Sequence, residues 1–444
     1  MTTRITTENI TDATIGTADL ASSVPLNTQW QAVKTATFTA VAGEGYFVNS
    51  GSALTMNLPA GAAGATIVVA DYARNFSTYN FTVSPNGLEK IGGVAENTTL
   101  DVDGQAATFV YVDATKGWVN VQNAENTEIG VPPFISATGG TITESGDFRI
   151  HTFTGDGCFV VTSLATQSPA PIYNIVSYVV AAAGGGSGGT INNIHTAGGG
   201  GGGGFREGKN APVDSYTASP LNAPAGLTVS AATYPITVGG GGAGGDPTTR
   251  GSSGGQSIFS TITSAGGGGG GAIGSPGAPA CRAGGPGGSG GGGSSQLAGP
   301  GGTGNTPPTS PAQGTNGAQG TDSPPDVRGG SGGGATVAGS GGSPPFVQGV
   351  GGTGATTHIS GSPLGYSGGG GAGGTEAGPQ AGGAASPCGS GAAGQSATGT
   401  FTGVNAINNR AGGGGGAAAS PGGPATNTGG VGGSGVVIIR YKFQ

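Results

Sequence analysis

The chain has 444 residues, of which 103 are glycine and 28 proline, and only 8 % are charged; ordinary domains hold about 7 % glycine and about 25 % charged residues. Its hydrophobic fraction of 34 % separates it from disordered chains, which are polar and strongly charged. A net charge of -7 without a basic cluster excludes nucleic acid recognition by charge.

Residues 1–29 are polar, with Thr2, Thr3, Thr6, Thr7, Thr11, Thr14 and Thr17 between single apolar residues. They read either as an attachment and oligomerisation segment or as a frayed end. No signal-peptide pattern opens the chain, and no run reaches the about 18 apolar residues of a membrane span, so ordinary secretion and membrane insertion are not expected.

Residues 30–123 read as a compact all-β domain. Phe38-Thr39-Ala40-Val41, Leu54-Thr55-Met56-Asn57-Leu58, Thr66-Ile67-Val68-Val69, Phe109-Val110-Tyr111-Val112 and Trp118-Val119-Asn120-Val121 are short β-forming runs. They are separated by Gly, Pro, Asn and Asp, the pattern of strands and turns. Trp30 and Trp118 bracket the unit, as if its first and last segments closed one core. Residues 124–142, with Val131-Pro132-Pro133, read as an extended linker. A second β segment follows, with Phe148 to Phe153 and Tyr173 to Val180 as its clearest strands.

The segment 181–435 holds 86 of the glycines, in pure runs such as 198–204 and 266–271 rather than in Gly-x-y order, which excludes collagen. The chain closes on Val436-Val437-Ile438-Ile439-Arg440-Tyr441. A strand this apolar needs a partner, and Tyr173 to Val180 matches it in length and character. The glycine segment is then a closed insertion between two paired strands. Ordering glycine costs backbone entropy that no side chain repays. Threefold extended helices of the polyproline-II type, packed side by side, recover hydrogen bonds between neighbours instead. A flexible spacer is the competing reading. The fold class expected is therefore all-β: a β-sandwich or β-prism-like domain, then a glycine-rich domain (143–444) framed by strands in 148–180 and 436–443 and built of packed polyglycine-II helices.

The run from Phe38 to Val48, the Leu58-Pro59-Ala60-Gly61-Ala62 turn and Val110 to Trp118 resemble a β-rich domain of tailed-phage fibre and structural proteins. The segment from Phe148 to the end, with Ile175 to Val180 feeding the glycine runs and Gly435 to Tyr441 closing them, resembles the glycine-rich domain of phage tail fibres and adhesins. Here Ala181-Ala182-Ala183 stands where that domain has glycine at the entry. The resemblance implies a virion protein, most simply a tail-fibre subunit whose distal domain helps to recognise a host surface glycan or outer-membrane protein. It also implies a homotrimer, attached to other virion proteins through its first residues. A head, collar or baseplate fibre with a spacer or protective role is the alternative.

Chemistry is not expected. Gly203 to Lys209 mimics a phosphate loop but lacks the following Ser or Thr and the preceding strand. His151, His195 and His358 do not cluster with acids, no carboxylate pair or nucleophile elbow stands out, and neither catalytic residues, cofactor nor metal is expected. His151 alternates with Ile150 and Thr152 and reads as a surface or interface residue. Cys158, Cys281 and Cys388 lie far apart, with a bridge between the last two as a weak option. Aromatic residues among glycines either fill gaps or stack on a ligand. Tyr216, Phe346 and Tyr366, in polar or Pro/Ser-rich stretches, are the receptor-binding candidates.

Overall fold

The computed structural model describes residues 28–122, 134–165, 170–191, 194–274, 279–324, 326–344, 347–375, 388–396, 401–419 and 426–443. They are all-β apart from short helical turns, and fall into two compact units divided after residue 133. Most of the expected N-terminal segment, and 124–133 of the expected linker, lie outside the described residues. The rest of the linker belongs to the second unit, since Ser136–Thr138 and Thr141–Ser145 are strands.

The first unit is a sandwich of two sheets. In chain order its strands are β1 (Gln29–Trp30), β2 (Phe38–Thr39), β3 (Glu44–Val48), β4 (Leu54–Asn57), β5 (Thr66–Asp71), β6 (Phe81–Ser84), β7 (Thr98–Leu100), β8 (Ala106–Asp113) and β9 (Gly117–Asn120). One sheet has the order β1-β3-β5-β8-β9 and the other β2-β4-β6-β7. The first six strands alternate between the sheets and pair in parallel with their predecessor in the same sheet. The chain thus winds as a coil until the antiparallel β7, β8 and β9 close it. Period-two alternation sends Tyr46, Val48, Met56, Ile67, Val69, Phe81, Val83 and Phe109 into one core, as a half-buried strand requires. The hairpin between β8 and β9 turns at Gly117, whose φ is +67° and where a Cβ would stand 1.8 Å from the Lys90 carbonyl oxygen. Trp118 is fully buried, whereas Trp30 is 49 % exposed. Only the last of the two bracketing tryptophans therefore closes the core; β1 is an edge strand, with Trp30 outside it.

In the second unit the entry strand Ile175–Ala181 and the closing strand Val436–Lys442 pair antiparallel, Ser177 opposite Arg440 and Ala181 opposite Val436. The closing strand also pairs with Phe148–Phe153. This sheet is buried on both faces. Phe153, Val176, Tyr178, Val180, Val437, Ile439 and Tyr441 face a second sheet through Phe159, Ile236 and Phe259. Ile150, Val179, Ile438, Phe205 and Tyr366 pack on the opposite face.

Beyond the entry strand the glycine runs are neither helix nor ladder in the ordinary sense. Residues 198–204, fully buried, show the rule. The N–H groups of Gly198, Gly201 and Gly204 donate to the carbonyls of Gly271, Gly268 and Ala265; those of Gly199 and Gly202 donate to Gly330 and Gly333; those of Gly200 and Gly203 donate to Gly414 and Ala411. Every third residue serves the same neighbour. The carbonyls of the same run accept from three further runs, among them Gly185 to Gly201, Gly292 to Gly199 and Gly370 to Gly200. One run thus bonds six others, some parallel and some antiparallel. Glycine is needed because backbone lies where a Cβ would be: 1.8 Å from the Ala182 oxygen at Gly203 and 1.6 Å from the Gly251 oxygen at Gly269. The alanine entry is tolerated, with the N–H groups of Ala182 and Ala183 bonded to Gly204 and Gly255.

Candidate functional site

The lattice has two ends. At the sheet end the excursion 205–238, the hairpin Ala355–Thr357 with Leu364–Tyr366, and the closing strand meet in a buried polar cluster. The Arg440 Nε donates to both Asp214 carboxylate oxygens at 3.1 Å, and Ser177 Oγ donates to Asp214 at 3.0 Å. The guanidinium lies over the Phe148 ring at 4.4 Å and the Tyr216 ring at 5.6 Å. Glu207, also buried, accepts from the Ser219 N–H and the Thr357 hydroxyl. Every charge here meets an opposite charge or donor, so the cluster fastens the closing strand rather than awaiting a ligand.

Two receptor-binding candidates fall in this region and are buried. Tyr216 is 7 % exposed and its phenol pKa is raised by burial and by the nearby Glu207 carboxylate. Tyr366 is 3 % exposed and stacks on Phe205 with ring centroids 6.3 Å apart. Their polar surroundings mark loops that fold back over the sheet, and the rings fill gaps that glycine and alanine cannot. Neither ring is available at the surface. Phe346, the third candidate, lies outside the described residues. Residues 203–209 lie in a lattice run and the strand Phe205–Gly208, and Lys209 donates to the Tyr216 carbonyl; no phosphate loop is formed.

His151 is also buried, contrary to the surface reading, because its strand lies inside a sheet covered on both faces. Its Nδ1 stands 2.6 Å from the Gly139 carbonyl oxygen and therefore carries the hydrogen, while Nε2 at 3.1 Å accepts from the Tyr441 hydroxyl. Burial lowers its pKa from 6.5, Gly139 opposes that shift, and Arg149 adds to it. A folded-state pKa below the unfolded value contributes stability that is whole above pH 6.5 and is lost as pH falls below it. The thermal midpoint is therefore expected to drop as pH falls through that range, and His151→Phe to flatten the drop. Asp246, held below its usual 3.8 by hydrogen bonds from Thr248, adds acid lability only at much lower pH.

The far end carries a different chemistry. Outward runs turn there at Thr190–Ile191 and Ile194-His195, at 246–250, at Ile273 and Arg282, at Gln296–Ala298, and at the hairpin Thr321–Ser323 with Asp326–Arg328. Charged side chains excluded from the runs collect on these turns: Asp246, Arg250, Arg282, Asp322, Asp326 and Arg328. Several turns are tied together. His195 Nδ1 lies 3.8 Å from Asp322, Asp322 accepts from the Leu297 N–H at 2.8 Å, and Arg282 donates to Gln296 at 3.0 Å. Leu297 is 70 % exposed and has φ +49°, a backbone region that costs a leucine about 1–3 kcal/mol. A chain rich in glycine nonetheless places leucine there, at the end of the lattice that also carries the exposed Ile191 and Ile194. This surface is the candidate binding site. Sequence reasoning missed it because it weighed aromatics, and the far end offers aliphatic side chains on a rigid frame.

Cys281 belongs to the far end and Cys388 to the sheet end, and none of the three cysteines is in a disulfide. Among the described residues no group of three or more His, Cys, Asp or Glu is placed to hold a metal ion. Residues 161–442 match the model of a family described as "Glycine-rich domain", a span that reaches from the strand Gly157–Ser163 to the last residue of the closing strand. No curated protein matches the chain.

Proposed function

The chain belongs to the glycine-rich domain family, and on that premise we propose that it is a virion structural protein of a tailed phage, a tail-fibre subunit whose far-end turns contact the host surface. The runs are packed polyglycine-II helices, the protein is a homotrimer, and the first residues attach it to other virion proteins. The observation that supports this reading is the threefold bonding of the lattice. Such a frame holds many short turns in fixed relation at one end, as a recognition surface needs. The ligand class that suits an end bearing the exposed Ile191, Ile194 and Leu297 together with charged turns is an outer-membrane protein or glycan with an apolar face.

A second reading, a head, collar or baseplate fibre that spaces or protects, is favoured by the lack of an exposed aromatic among the described residues of the glycine-rich unit. Purified full-length chain is expected to bind host cells and slow phage adsorption, and Leu297→Gly to lose that competition while keeping or slightly raising the unfolding midpoint, since glycine relieves the backbone cost. Antibody labelling confined to the head or collar, with no competition by the wild-type chain, would establish the second reading instead.

A further inference from the structure

The dipeptide Asn-Gly occurs twice in the chain, at Asn86-Gly87 and at Asn316-Gly317. It is chemically labile wherever its backbone can turn, because the glycine nitrogen reaches the asparagine side-chain carbonyl with no Cβ in the way. Both asparagines are exposed, yet the fold gives the two copies opposite surroundings.

Asn86-Gly87 forms the tip of the turn that follows β6 in the first unit. One hydrogen bond closes this turn, from the Glu89 N–H to the Asn86 carbonyl at 3.0 Å. Among the described residues, neither the Gly87 N–H nor the Asn86 side chain has a hydrogen-bond partner. Gly87 has φ +59°, nothing lies within 4 Å of a Cβ built on it, and its neighbour Leu88 is 91 % exposed. Nucleophile and electrophile thus stand side by side at an open tip, free to rotate.

Asn316-Gly317 is held by its neighbours in the lattice. The Gly317 N–H donates to the Gly302 carbonyl at 3.0 Å, and the Asn316 carbonyl accepts from the Gly339 N–H at 3.0 Å. The Asn316 Oδ1 accepts from the Gly304 N–H at 2.8 Å. A Cβ on Gly317 would stand 2.1 Å from the Gly291 carbonyl oxygen. Swinging the Gly317 nitrogen onto the Asn316 side chain would break all of these bonds, and the lattice offers no replacements.

We propose that Asn86 is a site of spontaneous covalent modification and that the lattice protects Asn316 from the same reaction. The Gly87 nitrogen gives its proton to base and bonds to the Asn86 Cγ. The Cγ–Nδ2 bond breaks, ammonia leaves with a proton from water, and a succinimide ring is closed. Water then adds to one of the two imide carbonyls and opens the ring to aspartate or isoaspartate, with no electron gained or lost. Either product has a carboxyl of ordinary pKa about 3.9 and so adds a negative charge at neutral pH. Isoaspartate also lengthens the backbone by one carbon just ahead of Glu89. The Glu89 carboxylate accepts from the Gly61 N–H at 2.8 Å and from the indole N–H of the buried Trp118 at 3.4 Å, so the change falls next to a contact of the core. None of this depends on what the far end of the lattice binds.

The test incubates full-length wild-type chain in mildly alkaline buffer made with heavy-oxygen water, then maps its peptides by mass spectrometry. The isotope separates conversion during incubation from conversion during digestion. Asn316 must wait for local opening of the lattice, so Asn86 is expected to convert at least about tenfold faster. In guanidinium the two are expected to convert at similar rates. Asn86→Gln, whose longer side chain closes a ring far more slowly, is expected to abolish the acidic form that charge-resolved electrophoresis shows in aged wild type. A native Asn86 that stays intact while the denatured chain converts overturns the proposal. So does a native Asn316 that keeps pace with Asn86, or an acidic form undiminished in Asn86→Gln. An Asn316 that stays slow in guanidinium overturns it too, since sequence rather than the lattice would then protect it.

Discussion

Replacing Gly269 with alanine is expected to lower the stability of the glycine-rich unit by about 3 kcal/mol or more, at or above the top of the range for overpacked cores. The added methyl carbon would stand 1.6 Å from the Gly251 carbonyl oxygen, where ordinary contact begins at 3.4 Å. In a side-chain core a neighbour changes rotamer and absorbs part of such an intrusion. Here the obstacle is backbone, bonded in turn to other backbone: the Gly251 N–H donates to Gly270, and the Gly285 N–H donates to Gly269. Gly240 supplies the control, since nothing lies within 4 Å of a Cβ built on it. Gly240→Ala is expected to be neutral or slightly stabilising, because alanine restricts the unfolded chain. Denaturant unfolding of the two variants checks this. Equal midpoints would mean that the runs are far looser than their bonding pattern implies.

Asp214→Ala is the second large effect. It leaves the Arg440 guanidinium, with a side chain only 6 % exposed, without its carboxylate, and removing one partner of a buried pair costs about 3–5 kcal/mol. The Ile359 carbonyl at 3.4 Å and the Phe148 and Tyr216 rings do not replace a full charge. The double variant Asp214→Ala with Arg440→Met is expected to recover much of the loss, since the strand is then held by apolar packing alone. A full four-member cycle of unfolding free energies reads the coupling. A single variant as stable as the wild type would show that water reaches the pair and that the clamp is weak.

The framing of the glycine-rich unit was legible because it rests on composition. A terminal strand as apolar as Val436 to Tyr441 has few places to go, and its match with Tyr173 to Val180 lies in plain view. The strands of the first unit were legible for the same reason: alternation and turn residues are local. What could not be read was which face of a strand, or which end of a run, a residue occupies. His151 alternates with Ile150 and Thr152 like a surface or interface residue, and only the packing of its strand against Phe159 and Tyr441 buries it. Tyr216 and Tyr366 sit in loop-like sequence, and only the fold-back of those loops over the sheet takes their rings inside. Trp30 fails in the other direction, since an edge strand leaves its side chain outside. The gathering of Asp246, Arg250, Arg282, Asp322, Asp326 and Arg328 on the turns of one end is equally invisible along the chain, because a glycine run looks the same in either direction.

The pairing of Ala181 with Val436 has a consequence for the order in which the protein can be made. The two strands leave the ribosome with the whole lattice between them, so the edge of the early strand that does not pair with Phe205–Gly208 must wait until residues 436–442 have been made. Loop closure over such a distance costs only about 5 kcal/mol, but contacts of so long a range make folding slow. During that wait the entry strand is an open edge at which a neighbouring nascent chain can substitute for the missing one. Release of a chain that stops before Val436 would leave the edge open for good.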